Sequence, residues 1–201
     1  MRHSHAEWKR LSSAPSLADV VASHVTDFRP LPVSGVLPSA GRAFVVPERW
    51  FIAAAGDTTD RPVRALVTGH RSRRGWQGCD TLAAFGFTGI PPAKDPAKDI
   101  VDRAACTLRA LDASSVTTRV LDIPAIPGAC AVRSSGCFTA ARLRLWGQFS
   151  TYIAGSEQRS NGRLVQHSLF VMTQRRTQLR TAIADLSDAV HTTFRTIAQT
   201  A

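Results

Sequence analysis

The sequence predicts an α+β fold, in which an antiparallel β-sheet carries helices packed on one face. Two observations support this fold class. Stretches with strand patterns are grouped on either side of a helix predicted over residues 96–112, and a second helix over residues 180–198 ends the chain. Helices that are segregated from grouped antiparallel strands are typical of α+β domains.

The composition indicates a single folded domain. The chain has 201 residues, of which 44% are hydrophobic and 20% are charged. These fractions are ordinary for globular proteins, and the length suits one domain with a substantial core. No apolar run approaches the roughly 20 residues that span a bilayer. The first 29 residues lack the continuous apolar stretch of a secretory signal.

Residues 1–41 are predicted to form an N-terminal extension, followed by one α+β domain over residues 42–201. A short helix is expected over residues 17–25, because Ser16 and Asp19 have the spacing of a capping box. Prolines and glycines then interrupt the chain repeatedly from residue 30 onward, which predicts an extended, proline-rich linker.

The first half of the domain is predicted to contain three strands. They cover residues 43–46, 50–54 and 63–68, where β-branched and aromatic residues are frequent. The Gly-rich segment at residues 75–89 gives no clear assignment.

The second half is predicted to be an antiparallel meander. Residues 116–123 are rich in β-branched side chains, and residues 130–133 and 137–141 flank a predicted Ser-Ser-Gly turn. The clearest strand is 141–152, in which apolar and polar residues alternate. Residues 164–172 follow it at the right distance for a hairpin partner.

The two long helices have local signals of their own. Asp95 is a favourable N-cap and Pro96 takes the first helical position. The last helix has one apolar stripe at helical spacing, formed by Ile183, Leu186, Val190, Phe194 and Ile197. Each helix is therefore expected to bury one face against the sheet.

This order of elements resembles that of the actinobacterial LpqN-type lipoproteins, which have a PsbP-like sandwich fold. The resemblance covers residues 42–198 and includes a Pro-x-x-Trp turn, formed here by Pro47, Glu48, Arg49 and Trp50. It implies a binding or assembly-helper protein rather than an enzyme.

Four cysteines offer two possible disulfides. Cys130 and Cys137 flank the predicted Ser-Ser-Gly turn, so a hairpin disulfide is reasonable if the register places them opposite each other. Cys79 and Cys106 would form the second pair, and four structural thiols are the alternative. The even count without a C-x-x-C motif favours either arrangement over zinc. Paired cysteines would favour the cell envelope or secretion, and unpaired ones the cytoplasm.

Signatures of catalysis are absent from the sequence. There is no phosphate loop, no dinucleotide fingerprint and no serine-hydrolase elbow. The one nucleophile worth weighing is Cys79, which His70 or His167 would have to activate. The alternative for Cys79 is a half-cystine beside a buried tryptophan. We therefore predict no enzymatic activity, no cofactor and no metal.

Arginine dominates the basic residues. The net charge is +10, and 22 of the 25 basic residues are arginine once the three lysines are subtracted. Genome composition is one explanation, and a polyanion partner is the other, because arginine contacts phosphate bidentately. The polyanion hypothesis rests on two groups of residues. Arg71, Arg73 and Arg74 form a cluster in the sequence. Arg142, Arg144 and Trp146 lie on one face of the predicted strand 141–152.

Two functions remain open from the sequence. The preferred one is a non-catalytic binding or adaptor domain of the cell envelope, which recognises a protein or lipid partner through an apolar patch or groove between sheet and helix. The alternative is an intracellular Arg-rich domain that binds nucleic acid or another polyanion. Oligomeric state and ligand identity have no sequence signal.

Overall fold

A computed structural model describes residues 17–31, 46–53, 63–70, 75–91, 104–126, 128–140 and 142–200. In these residues, eight strands form one antiparallel sheet and three α-helices flank it. The predicted α+β class is confirmed.

The strands and helices have the following bounds. In chain order they are α1 (Leu17–Ala22), β1 (Thr26–Leu31), β2 (Trp50–Ile52), β3 (Val63–His70), β4 (Gly75–Thr88), α2 (Cys106–Ala110), β5 (Ser114–Val120), β6 (Cys130–Ala140), β7 (Leu143–Ala154), β8 (Gly162–Met172) and α3 (Arg180–Thr200). A short 3₁₀ turn at Thr173–Arg175 links β8 to α3.

The sheet has the strand order β2-β3-β4-β8-β7-β6-β5. Strand β4 is long enough to pair with two strands on one edge, because β3 pairs with its first part and β1 with its last part. On its other edge β4 pairs with β8 over ten residues. The long strands β4, β8 and β7 therefore form the centre of the sheet.

Helix α3 covers one face of this sheet, which we call the helix face. Ile183 and Leu186 of α3 pack with Trp146 and Leu169 near its start, and Phe194 packs with Tyr152 near its end. Burial of each large apolar side chain contributes about 1.5–3 kcal/mol. The predicted apolar stripe of this helix is confirmed, and it fixes α3 across the central strands.

The opposite face of the sheet carries α1. Ala18 and Val21 of α1 are buried against Phe85, Phe87 and other apolar residues of the central strands. Together with β1, this helix attaches residues 17–31 to the sheet. The prediction of an N-terminal extension did not include that attachment. The predicted boundary between residues 41 and 42 lies outside the described residues.

Several local predictions are confirmed. The hairpin of β7 and β8 has the expected partners, and Trp50 N donates to Pro47 O at 3.0 Å, which closes the predicted Pro-x-x-Trp turn. Of the helix predicted over residues 96–112, the structure describes the C-terminal part as α2. Asp95, Pro96 and the strand at residues 43–46, except Val46, lie outside the described residues.

One predicted turn is absent from the structure. Ser134, Ser135 and Gly136 form no turn, because they lie within the continuous strand β6. The two serine side chains form hydrogen bonds across the sheet instead. The hydroxyls of Ser134 and Thr118 are 2.9 Å apart, and those of Ser135 and Thr117 are 3.0 Å apart. Such cross-strand hydrogen bonds stabilise a strand that its sequence alone would break.

Candidate binding site

A groove runs between the first turns of α3 and the β2–β3 edge of the sheet. Its volume is about 830 Å³. On the sheet side it is lined by the Pro47-Glu48-Arg49-Trp50 turn, Thr68, Gly69 and Gln77. On the helix side it is lined by Gln178, Leu179, Thr181, Ala182 and Asp185.

On the sheet side of the groove, the short strand β2 enters the sheet through a tight turn. Arg49 adopts a left-handed conformation with φ 66°, and its carbonyl accepts a hydrogen bond from Thr68 Oγ1 at 2.9 Å. This places Trp50 on the helix face, where its side chain is only 4% exposed. The Trp50 Nε1 donor is buried and has no hydrogen-bond partner among the described residues.

The groove combines an apolar floor with charged edges. Leu179, just before α3, and Ala182 of α3 pack against the cluster that contains Trp50. Glu48 and Arg49 form a solvent-exposed ion pair at 3.7 Å, and Asp185 lies on the helix side. Apolar contact area with a few polar groups is the usual composition of sites that hold a ligand or a partner segment.

A second cavity, of about 360 Å³, lies on the other side of α3, toward β5 and β6. Four arginines line it, so we call it the arginine cleft: Arg119, Arg133, Arg176 and Arg180. Its other lining residues include Trp146, Gln148, Ser187 and a single carboxylate, Asp188.

Arg133 forms the floor of the arginine cleft and is only 8% exposed. Its Nε donates to Ser150 Oγ at 2.9 Å, and its Nη2 lies 3.3 Å from Tyr152 Oη and 3.4 Å from the Ser187 carbonyl. All three partners are neutral. Gln148 Nε2 donates to Ser187 Oγ at 2.8 Å and holds the helix beside the cleft.

The predicted polyanion face of β7 is not available for stacking. Trp146 is 6% exposed, and the Arg176 guanidinium covers its ring at 4.6 Å from the centroid. The reason is that α3 and the turn before it lie on that face. Arg142 and Arg144 are exposed near the β6–β7 turn, whereas Arg71, Arg73 and Arg74 lie outside the described residues.

A buried polar cluster connects three strands within the apolar core. Asp80 on β4 accepts a hydrogen bond from Arg64 on β3 at 2.9 Å, and it contacts His167 on β8. The Asp80 and His167 side chains are fully buried. No sequence signal had identified this cluster as a unit, because it depends on the register of three strands.

Neither of the predicted disulfides forms. All four cysteines are thiols, and Cys130 and Cys137 lie seven residues apart on the one strand β6. Seven residues of strand extend about 23 Å, far beyond the reach of a disulfide. The hairpin disulfide was wrong because the turn on which it depended does not exist. Cys79 lies on β4 and Cys106 lies on α2.

The structure does not bring Cys79, the one nucleophile weighed, together with His167. Cys79 and Asp80 are consecutive in β4, so their side chains point to opposite faces of the sheet, and His167 contacts Asp80. Burial, with the nearby Asp80 charge, raises the pKa of the Cys79 thiol. His70 pairs with Gly75, four residues from Cys79 along β4.

Among the described residues, no group of three or more histidine, cysteine or acidic side chains has a metal-binding arrangement. The described helices include none with both the length and the apolar character needed to cross a membrane.

The sheet with its C-terminal helix defines an α+β sandwich protein, and comparison with solved structures shows which fold it shares. The crystal structure of LpqN, involved in cell envelope biogenesis of Mycobacterium tuberculosis, matches with a TM-score of 0.59 over 84% of this chain and 92% of that chain. The sequence identity is 13%. The resemblance to LpqN that the element order predicted is therefore confirmed as a common fold.

A Bacteroides thetaiotaomicron structure matches 63% of this chain and 37% of that chain, with 15% identity. Its TM-score of 0.34 is too low to show a common fold. No protein-family model matches the sequence, and no curated protein matches it either.

Proposed function

We propose that this protein is a non-catalytic binding or adaptor protein of the cell envelope, which holds a protein or lipid partner in the groove beside α3. The observation that carries the proposal is the groove itself. It lies between sheet and helix, where an adaptor of this architecture needs it, and its volume of about 830 Å³ falls in the range of ligand-binding sites.

The buried tryptophan in the groove supports a role in binding. Trp50 is almost fully buried, yet its Nε1 hydrogen is without an acceptor in the described residues. A buried donor without an acceptor costs about 1–3 kcal/mol. Because the Nε1 atom itself is covered by protein, Trp50 contributes to the groove through the apolar surface of its ring.

The envelope role is supported by the fold shared with LpqN, a protein described as involved in cell envelope biogenesis. The proposal that the protein is not an enzyme has separate support. Cys79, the one nucleophile weighed, has a raised thiol pKa and lies on the sheet face opposite His167. A thiol with a raised pKa is a poorer nucleophile at neutral pH.

Site-specific photo-crosslinking in the native host tests the groove. A benzophenone amino acid is placed at Thr181, which lines the groove, and in a second strain at Thr192. Both are exposed threonines of α3, about 16 Å apart at 1.5 Å per residue, so they form a matched pair. We expect irradiation to give a distinct adduct from position 181 and none from position 192.

The adduct would be identified by mass spectrometry as a lipid or a protein. An envelope component that crosslinks at position 181 alone would support the proposal. Equal adducts from both positions, or none from position 181, would overturn it, because the groove would then have no particular occupant.

A further inference from the structure

We propose that the arginine cleft is a second binding site, which takes a phosphate group of an anionic ligand. The cleft lies on the side of α3 away from the groove, and it shares none of the groove's lining residues. This inference is therefore independent of what occupies the groove.

The first argument is the burial of a charge without a counter-ion. Arg133 is more than nine-tenths buried, and its three hydrogen bonds go to a serine hydroxyl, a tyrosine hydroxyl and a backbone carbonyl. No described carboxylate forms an ion pair with it. A buried charge is costly unless an opposite charge compensates it. Asp188, the carboxylate that lines the cleft, forms no ion pair with Arg133, so an anion bound in the cleft would supply the compensation that Arg133 lacks.

The second argument is a pair of like charges. Arg119 on β5 is the direct register partner of Arg133 on β6, and both line the cleft. Like charges directly opposite each other on neighbouring strands are destabilising. An anion between the two guanidinium groups would convert this repulsion into two attractive interactions.

The third argument is the orientation of the remaining arginines. The guanidinium of Arg176 lies over the buried Trp146 ring, with its Cζ 4.6 Å from the ring centroid, and this cation–π contact holds it beside the cleft. Arg180, at the start of α3, lines the same cavity. A guanidinium that is held in place loses less conformational entropy when it binds an oxyanion than a mobile one does.

The charge and size of the cleft indicate the class of ligand. Four arginines and Asp188 give a local charge of +3 (four minus one). A phosphate monoester carries about −1.5 to −2 at neutral pH and accepts bidentate hydrogen bonds from arginine, whereas one carboxylate would leave most of the charge uncompensated. A volume of about 360 Å³ suits one or two phosphate groups rather than a length of nucleic acid.

Calorimetry with inorganic pyrophosphate tests the site. The cleft variant Arg176→Gln/Arg180→Gln removes two surface charges, and it leaves the buried Arg133 in place so that the fold is kept. The control variant Arg142→Gln/Arg144→Gln removes the same charge from exposed arginines near the β6–β7 turn. We expect saturable binding to the wild type, a loss of about tenfold or more in the cleft variant, and a change of less than about twofold in the control.

A second measurement uses Arg133→Lys, which keeps the charge but loses the planar fork. Circular dichroism first establishes that this variant is folded. We expect its pyrophosphate affinity to fall, whereas a merely structural Arg133 would leave affinity unchanged in the folded fraction. Absent binding to the wild type, or equal losses in the cleft and control variants, would overturn the proposal, because diffuse surface charge would then explain any affinity.

Two further arms distinguish the source of the phosphate. Sedimentation with vesicles that contain phosphatidic acid, whose headgroup is a phosphate monoester, tests a lipid headgroup, with phosphatidylcholine vesicles as the control. If pyrophosphate displaces the protein from the anionic vesicles, the ligand is lipid-borne; binding of pyrophosphate alone indicates a soluble phosphate compound. A single-stranded oligonucleotide that binds more tightly than pyrophosphate, and equally well to the cleft variant, would contradict the site.

Discussion

Asp80 on β4 and His167 on β8 are joined by a contact of 2.5 Å between Oδ2 and Nε2, with both side chains fully buried. Arg64 on β3 binds the other carboxylate oxygen, Oδ1, at 2.9 Å. The carboxylate therefore has a partner at each oxygen, and it links β3, β4 and β8 within the apolar core. A buried charge is tolerated when it is paired in this way.

We expect Asp80→Ala to lower the free energy of unfolding by about 3–5 kcal/mol, because it leaves the Arg64 charge without its buried partner. Urea denaturation followed by circular dichroism measures the change. The matched control is Glu48→Ala, which breaks a solvent-exposed ion pair and should change stability by less than about 1 kcal/mol. Similar losses of unfolding free energy in the two variants would show that the buried cluster stabilises the fold no more than an exposed ion pair does.

The pH dependence of stability should report on His191 in α3. Burial and the guanidinium groups of Arg133 and Arg195 lower the pKa of His191 below its ordinary 6.5, against smaller opposing effects of Asp188 and Asp122. Between the folded pKa and 6.5, the unfolded chain binds a proton that the folded protein does not. This contribution is therefore fully present above about pH 6.5 and is lost as the pH falls toward the folded pKa.

We expect His191→Gln to flatten the decline of unfolding free energy between about pH 7 and pH 5, measured by urea denaturation at a series of pH values. His24→Gln changes an exposed histidine and should keep the pH dependence of the wild type. A His191→Gln protein with an unaltered decline would refute the role assigned to this residue.

The cysteines should differ in reactivity. Burial and the Asp80 charge raise the pKa of Cys79, and burial raises the pKa of Cys130. Because the thiolate is the reactive form, we expect both to be alkylated slowly by iodoacetamide near neutral pH, after the exposed Cys106. Peptide mass mapping over time gives the order, and labelling in urea gives the reference rates. Faster labelling of Cys79 than of Cys106 would revive the thiol-enzyme hypothesis.

The fold class was predictable because the strongest periodic signals lie in the long elements. Helix α3 and the β7–β8 hairpin bury regular apolar patterns, so local sequence and tertiary packing agree there. Strand β4 was not predicted because its glycines suggest a loop. In the structure they make room for large neighbours: a side chain at Gly78 would crowd Trp50, and one at Gly86 would overlap Leu31.

The sites were less predictable because they depend on register and on the helix position. Arg119 and Arg133 are 14 residues apart in sequence and become direct partners only once β5 and β6 pair. The predicted turn after residue 133 concealed this pairing. The sequence pattern correctly placed Trp146 on the face of the strand that carries the polar side chains. It did not show that α3 and Arg176 would cover Trp146 there.

Native mass spectrometry tests the central claim, that the groove beside α3 holds a partner, most directly. The protein is purified gently from its own cells as wild type, as Thr181→Trp, which fills the groove, and as Thr192→Trp, which places the same side chain on α3 outside the groove. We expect a bound species above the mass of the polypeptide in the wild type and in Thr192→Trp, and its loss in Thr181→Trp. A wild-type protein with the polypeptide mass alone, or a bound species that Thr181→Trp retains, would contradict the account.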